Sequence, residues 1–241
     1  MNASQRPGRR LAAPAALGWA AGLALALPGC SPGTESPAPA LSSASTPAGS
    51  APASTPPAAP GSSPAATRPP LQPAAQGELD QRLVAAAKAN NLALAAELIQ
   101  AGGNVNAKDA IQDSAFLYAG AEGLNDMLQL TLAHGADVAS TNRFGGTALI
   151  PASEHGHVET VRILISAGVP VNHVNHLGWT ALQEAILLNN GGPRQQEVVR
   201  QLLAAGADPG IRDPQGRTAL ENAERLGFGE IAALIRGVLP K

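Results

Sequence analysis

Five histidines have the side-chain type and spacing that could support metal chemistry, because an imidazole nitrogen is a common metal ligand. They are His134, His155, His157, His173 and His176. His173 and His176 belong to one predicted turn, and His155 can face that turn from a neighbouring helix. A small-ligand or metal site built on His155 and His173 is therefore kept as the alternative. The favoured interpretation assigns no metal to any of the five.

Motifs for covalent or phosphate chemistry do not occur in the sequence. It contains neither a Gly-x-Ser-x-Gly nucleophile motif nor a Walker phosphate loop. The carboxylates of Glu154 and Glu159 fall on neighbouring predicted helices, where we expect them to be solvated. We therefore predict a protein that is not an enzyme, with no catalytic residue and no cofactor.

The charge balance argues against a nucleic-acid partner. The formal net charge is −2 and aromatic residues make up 2% of the chain. Nucleic-acid binding surfaces are basic, and single strands also need aromatic rings on which the bases stack. The sequence offers neither feature, nor a polybasic patch for a membrane surface.

The first thirty residues have the pattern of an export signal. Arg6, Arg9 and Arg10 precede an uncharged apolar run, Leu11 to Leu27. The sequence that follows, Leu27-Pro28-Gly29-Cys30, resembles the lipobox of bacterial lipoproteins, with Pro28 as a departure. The resemblance implies that residues 1–29 are a signal peptide and that Cys30 becomes the lipidated first residue. An ordinary signal peptide and an uncleaved anchor remain alternatives.

Residues 30–78 have the composition of a linker. Twelve of the 21 prolines lie between Ser31 and Gly77, where Glu35 and Arg68 are the only charged residues. A Pro/Ala/Ser/Thr segment with so little apolar surface to bury is expected to be disordered. Together with a lipidated Cys30, it predicts a tether in the bacterial cell envelope. The resemblance to bacterial lipoproteins also implies that Ser31, as the residue after the cysteine, directs the protein to the outer membrane, where it would face the periplasm.

A fixed interval organises the rest of the chain. Residues 33 apart match in two series: Ser114, Thr147 and Thr180, and Gly102, Gly135 and Gly168. Thr218 and Gly206 continue them after a five-residue insertion. A period of this length is typical of stacked repeats, each of which buries its apolar face against its neighbours.

Within one repeat, the spacing predicts two helices. Thr147 is expected to cap a short helix that begins at Ala148, although Pro151 removes one backbone hydrogen bond from it. Gly156 separates this helix from a second one, which Gly168 ends. The insertion, Asn189 to Gln195, is expected to form a surface loop.

These repeats resemble ankyrin repeats. The segments that carry the resemblance are Thr-Ala-Leu at 147–149, Gly-His at 156–157, Gly-Val-Pro-Val-Asn at 168–172 and Gly-Ala-Asp-Val at 135–138. The resemblance implies an all-α ankyrin-repeat solenoid over residues 79–241, with four repeats after a helix pair that starts near Leu79. The family's Thr-Pro-Leu-His becomes Thr-Ala-Leu here, and the missing histidine is expected to remove a hydrogen bond between repeats.

The resemblance also implies a concave face that binds another protein. Its variable positions here are Ile111, Glu122, Arg143, Phe144, Glu154, His176, Leu177, Trp179, Pro214, Gln215, Arg217 and Arg225. Trp179 either contacts the partner or packs along its own loop, and the sequence leaves both open. We predict a monomeric interaction module, tethered to the envelope, that binds or protects a protein partner.

Overall fold

The computed structural model describes residues 72–240, and the segments assigned to the signal peptide, Cys30 and linker residues up to 71 lie outside this range. Its ten helices are α1 (Pro73–Lys88), α2 (Leu92–Gln100), α3 (Ala115–Glu122), α4 (Asn125–Ala133), α5 (Leu149–Glu154), α6 (Val158–Ser166), α7 (Ala181–Leu187), α8 (Pro193–Ala204), α9 (Ala219–Leu226) and α10 (Gly229–Val238). Between residues 72 and 240 there is no strand. Over the same range, no helix has the length and apolar character needed to cross a membrane.

The helices form five antiparallel pairs stacked in two layers. The odd-numbered helices contact one another in chain order, and so do the even-numbered helices. We call these the first-helix layer and the second-helix layer. The two layers enclose one apolar core, in which Phe116, Leu149 and Leu182 are at most 2% exposed. Each repeat has one apolar face and buries it by stacking, as the period predicts.

Three of the four predicted helix starts carry a side-chain cap. The hydroxyls of Ser114, Thr180 and Thr218 accept from the backbone N–H three residues ahead, at 3.2, 3.3 and 3.2 Å. Thr180 and Thr218 form complete capping boxes, because Gln183 and Glu221 accept in return from the threonine N–H. These bonds satisfy N–H groups that a helix start otherwise leaves without a partner.

Thr147 does not form the cap expected of it. The Ile150 N–H donates to the Thr147 carbonyl at 3.1 Å, and the buried Thr147 hydroxyl has no hydrogen-bond partner in the described part of the chain. Pro151 explains the difference, because it lacks the N–H that would bond this carbonyl in a regular helix. The carbonyl takes the preceding N–H instead, and α5 begins at Leu149 rather than Ala148.

Valine at these two threonines should therefore have different effects. We expect Thr180→Val to lower the free energy of unfolding by about 1 kcal/mol, through loss of a cap. Thr147→Val should be neutral or slightly stabilising, because it removes only a buried hydroxyl without a partner. Urea unfolding of both variants checks this, and an equal loss at Thr147 would contradict the observed hydrogen bonding.

The expected loss of a hydrogen bond between repeats is wrong for the fourth repeat. Gln183 occupies the position of the missing histidine, and its Nε2 donates to the Ile211 carbonyl at 2.9 Å. The amide can do this while its oxygen accepts from the Thr180 N–H, because the group carries both a donor and an acceptor. One side chain thus caps its own helix and bonds the next loop.

Helix α1 begins at Pro73, six residues before the predicted domain boundary at Leu79. Proline suits a first helical turn, where its N–H is not needed. Gln76, assigned to the linker from its surroundings, donates from Nε2 to the Gly102 carbonyl at 3.0 Å. The Asp80 carboxylate accepts from the Asn104 N–H at 2.8 Å. The Gln76 bond ties the added turns of α1 to the following loop, where the composition of the segment predicts a linker.

The insertion is only partly a surface loop. Pro193 to Gln195 form the first turn of α8, so the loop itself is short. Asn189 is half-buried and donates to the Glu154 carbonyl of the preceding repeat at 2.7 Å. Gln195 Nε2 in turn donates to Asn189 Oδ1 at 2.9 Å. The inserted residues therefore join two repeats.

Candidate protein-binding surface

Four loops, each leading into a helix of the first-helix layer, share one internal brace. In each, an Asp or Asn side-chain oxygen accepts from the N–H groups two and four residues ahead, at 2.8 to 3.0 Å. The bracing residues are Asp109, Asn142, Asn175 and Asp213. Our sequence analysis missed them, although they repeat with the same 33-residue interval and five-residue insertion. The brace gives all four loops the same turn geometry.

The brace places one predicted partner residue at an equivalent point of each loop. These residues, two positions after the brace, are Ile111, Phe144, Leu177 and Gln215. Ile111 is 49% exposed and Leu177 is 52% exposed. Apolar groups held in the open on rigid loops are suited to burial against a partner.

The second and third of these loops lie directly together. The His176 N–H donates to the Phe144 carbonyl at 2.9 Å, so Phe144 and Leu177 are on adjoining chain segments. The Arg143 guanidinium lies 4.6 Å from the centre of the Phe144 ring. Arg143, Phe144, His176 and Leu177 therefore form one cluster, which we call the loop patch. An aromatic ring and an arginine are side chains that protein interfaces favour.

Trp179 combines the two arrangements that the sequence left open. Its ring is half-buried, and its Nε1 is buried without a hydrogen-bond partner in residues 72–240. Its backbone N–H is bonded to the brace residue Asn175 at 3.0 Å. The ring therefore packs partly within its own repeat and leaves only part of its surface for contact.

The remaining predicted partner residues form two other groups. Glu122 and Glu154 are the last residues of α3 and α5, and Arg225 lies in the last turn of α9. These helices of six to eight residues span roughly 9 to 12 Å, so their ends lie that far from the loops. Arg217 and Gln215 bond each other at 3.2 Å next to exposed Pro214. The twelve positions thus do not form a single cluster.

Glu184 is a buried carboxyl that the sequence analysis did not single out. It is 5% exposed, and its Oε1 accepts from Asn175 Nδ2 at 2.7 Å. The pKa of Glu184 is raised to about 8, first by burial and also by the charge of Glu154, while the Asn175 hydrogen bond opposes the rise. The last repeat has the same pair with the groups exchanged, since Asn222 donates to Asp213 at 2.8 Å. In each pair, Glu184 or Asn222 lies nine residues after the bracing residue of its own loop.

An ion cluster holds the first loop. Lys88 Nζ lies 2.6 Å from Asp109 Oδ2 and 2.9 Å from Asp113 Oδ2, and Asp113 is fully buried. Neither Asp113 oxygen receives a well-angled hydrogen bond, so its contact with Lys88 is an ion pair. Arg143 lies 3.8 Å from Asp113, and the Tyr118 ring lies 5.5 Å from Lys88. Burial acts to lower the pKa of Lys88, but bonding to the two aspartates outweighs it and raises the pKa.

The histidines do not come together as the alternative hypothesis required. His155 Nδ1 bonds the Ala121 carbonyl at 3.0 Å, whereas His173 Nε2 bonds the Gly145 carbonyl at 2.6 Å. These contacts lie at opposite ends of α5, so the expectation that His155 faces His173 is wrong. Burial lowers the pKa of His157, and His155 and Arg194 lower it further. Within residues 72–240, no group of three or more His, Cys, Asp or Glu side chains is arranged to hold a metal ion.

Comparisons with known proteins agree with this architecture. The family described as ankyrin repeats (3 copies) matches residues 83–175 and 116–213. The ankyrin repeat protein YahD of Escherichia coli K12 is 43% identical over 142 residues, which cover 57% of this chain and 69% of YahD. The mitochondrial disaggregase of Bos taurus is 27% identical over 162 residues, but the match spans only 22% of that protein.

Solved structures show the same fold. An ankyrin repeat domain from Acinetobacter baumannii superposes with a TM-score of 0.64 and is 58% identical, over 65% of this chain and 80% of that domain. EF0377, an ankyrin repeat protein, superposes with a TM-score of 0.62 at 39% identity, over 64% of this chain and 78% of its own. Proteins of this kind are binding scaffolds. Residues 72–240 form an all-helical stack of such repeats, and the chain belongs to the ankyrin repeat family.

Proposed function

We propose that this protein is an envelope-tethered scaffold that binds, and thereby positions or protects, a protein partner through the loop patch. The observation that carries the proposal is the contact between the second and third loops, which sets exposed Leu177 beside Phe144 and Arg143. Rigid apolar groups next to an arginine lose little conformational entropy when a partner covers them. The protein acts as a monomer in this proposal, and the partner is another protein.

Side-chain truncation in and around the loop patch should reduce partner capture. We expect Trp179→Ala to weaken partner binding by about 2 kcal/mol. Leu177→Ser is a second variant on the same loop, and it leaves the half-buried Trp179 ring in place. Leu92→Ser is a matched control, because Leu92 is also an exposed leucine, 39% exposed, but lies on α2. Full-length protein would be crosslinked in cells, and the captured proteins would be compared by mass spectrometry.

Two results separate the alternatives in this experiment. A protein captured by wild type and by Leu92→Ser, and lost with Leu177→Ser, would support the loop patch. Equal capture by all folded variants would show that the partner binds a surface other than the loop patch. Circular dichroism of Trp179→Ala is needed because its ring is half-buried, so a folding defect has to be excluded.

The envelope tether is the second part of the proposal, and the segment Leu27-Pro28-Gly29-Cys30 supports it. Membrane lipids would supply the lipid groups: one is transferred to the Cys30 thiol, and signal peptide cleavage before Cys30 frees the amine to receive a further acyl chain. Several acyl chains anchor a protein stably. The linker would then hold the repeats away from the outer membrane, on its periplasmic side.

Cys30→Ser tests this tether directly. We expect the variant to incorporate no labelled fatty acid and either to keep its signal peptide or to leave the membrane fraction. Cys30 is the only cysteine, so no other thiol can substitute for it. A processed Cys30→Ser protein that stays with the membrane would contradict lipidation.

A further inference from the structure

Asn190 and Gly191 form the one Asn-Gly pair in the sequence, and they lie in the loop between α7 and α8. An asparagine side-chain carbonyl can react with the backbone nitrogen of the next residue, because the chain itself holds the two groups close together. A side chain on that next residue hinders the approach, and glycine has none. The pair is therefore the point in the chain at which this ring closure meets the least steric hindrance.

The structure leaves both reacting groups of the pair accessible. The Asn190 side chain is exposed, and within residues 72–240 its Nδ2 donates to no acceptor. The Gly191 N–H likewise has no hydrogen-bond acceptor in that range. Neither the nucleophile nor the leaving amide therefore has to break a hydrogen bond with the protein before the reaction.

A third group, the Gly192 N–H, favours the reaction. It donates to Asn190 Oδ1 at 3.0 Å, and such a bond holds the side-chain carbonyl against the turn. When a nitrogen adds to the side-chain carbonyl carbon, negative charge develops on Oδ1, and a donor already aimed at this oxygen stabilises that charge. Gly192 directly precedes α8, and the N-terminus of a helix also favours negative charge.

Glycine is required at position 191 for reasons unrelated to this chemistry. Its φ is +68°, in the left-handed region that favours glycine. A side chain there would also place its first carbon 2.6 Å from the Phe228 ring. The Gly191 carbonyl accepts from Gln196 Nε2 at 2.9 Å, which ties the loop to α8. Because Phe228 lies between α9 and α10, Gly191 packs the inserted loop against the last helix pair.

We propose that Asn190 is a site of spontaneous covalent modification in the folded protein, and that its conversion to isoaspartate weakens the contact between Gly191 and Phe228. The Gly191 nitrogen bonds to Asn190 Cγ, the Cγ–Nδ2 bond breaks, and ammonia leaves with the proton of the Gly191 N–H. The product is a succinimide ring. Water then adds to one of the two ring carbonyls, the bond from that carbonyl to the Gly191 nitrogen breaks, and a proton of the water restores the N–H.

The two products of this hydrolysis differ in the main chain. Attack at the side-chain carbonyl gives aspartate, whose backbone is unchanged and whose carboxylate can still accept from the Gly192 N–H. Attack at the backbone carbonyl gives isoaspartate, in which the main chain runs through Cβ and Cγ and is longer by a carbon atom. This extra atom displaces Gly191 from the Phe228 ring, against which it is closely packed. The inference does not depend on the proposed function.

Peptide mapping of full-length protein aged in mildly alkaline buffer tests the site, and Asn104 is a matched internal control. Asn104 is also exposed, and its Oδ1 accepts from the N–H two residues ahead at 2.9 Å. The residue after it, however, is the branched Val105. We expect aspartate and isoaspartate to accumulate at position 190 before any appears at 104. Equal conversion at both positions, or no conversion at 190 while the urea-unfolded protein converts there, would overturn the proposal.

Hydrogen exchange measures the effect on the last helix pair. Ion exchange isolates the converted protein by its additional carboxylate, and Asn190→Gln aged in parallel controls for other damage. We expect the amides of α9 and α10 to exchange about fivefold faster in the isoaspartate population, as for loss of one hydrogen bond. Asn190→Asp should exchange like fresh wild type. Unchanged exchange in the isoaspartate population, or equally fast exchange in Asn190→Asp, would overturn the role of the Phe228 contact.

Discussion

Replacing Lys88 with methionine should lower the free energy of unfolding by about 3 to 5 kcal/mol, since a buried carboxylate then loses its nearest charge partner. Asp113 is fully buried, and Lys88 is the cation closest to it. Methionine keeps most of the apolar stem of lysine, so the loss reports mainly on the charge. Urea unfolding at pH 7 measures it.

A second substitution distinguishes the loss of the Lys88 charge from a general packing defect. Adding Asp113→Asn to Lys88→Met removes the carboxylate as well, and we expect it to recover more than half of the lost stability. Arg162→Met, at an exposed ion pair with Glu159, is a control that should cost little. A loss below about 1 kcal/mol for Lys88→Met would mean that Asp113 is not a charge-dependent part of the fold.

The stabilisation by the ion cluster of Lys88, Asp109 and Asp113 should be lost in acid. Burial acts to raise the pKa of Asp109, but the Lys88 bond and the N–H groups of Asp113 and Ile111 outweigh it and lower the pKa. A lowered folded pKa stabilises the protein above the ordinary value of 3.8, and this contribution is lost as the pH falls below it. The difference between wild type and Lys88→Met should therefore persist from neutral pH to about pH 4.

Glu184→Gln should stabilise the protein in alkaline solution. The folded pKa of about 8 lies above the ordinary value of 4.5, so the neutral carboxyl is the form that the fold prefers. Its stabilising contribution is complete below the ordinary pKa and is lost as the pH rises through about 8. One unit of pKa difference corresponds to about 1.4 kcal/mol, so the free energy of unfolding of Glu184→Gln can exceed that of wild type by at most about 5 kcal/mol. We expect this difference to be about 3 kcal/mol at pH 9.

Urea unfolding of both proteins at pH 5, 7 and 9 checks this dependence. Glutamine keeps the oxygen that accepts from Asn175, so the two proteins should be nearly equal at pH 5. Glu97→Gln, at an exposed glutamate on α2, is the matched control for the substitution itself. Parallel pH profiles for wild type and Glu184→Gln would show that Glu184 is ionised at neutral pH, contrary to its buried environment.

The regular part of the fold follows from spacing alone. The 33-residue interval, with its five-residue insertion, predicts equivalent helix starts at Ser114, Thr180 and Thr218, and a helix begins directly after each of them. The same interval marks the braces, which a search restricted to Asp and Asn would have found. Such features depend on residues close in sequence, so each repeat can be analysed by itself.

The features that depart from the repeat pattern depend on competition between hydrogen bonds and on stacking between repeats. The spacing of residues in the sequence reveals neither. Thr147 has the right residue type for a cap, but Pro151 changes which acceptor the nearby N–H uses. Glu184 is buried because neighbouring repeats stack around it. Gln76 lies in α1, where its side-chain amide donates to the Gly102 carbonyl of a later loop. The loop patch was predicted by position, and its role in partner binding stays a prediction.

The two bonds that Gln76 and Asp80 make to the first loop have a consequence for the evolution of this protein. They supply from a helix what an asparagine in a preceding loop supplies elsewhere, so α1 needs no neighbour before it. A duplicated repeat inserted ahead of α1 would bring a loop asparagine whose partners, the Gly102 carbonyl and the Asn104 N–H, are already bonded to α1, whereas one copied between existing repeats would find matching loops on both sides. Lineages that lengthen this array should therefore do so from within, and keep α1 as the first helix.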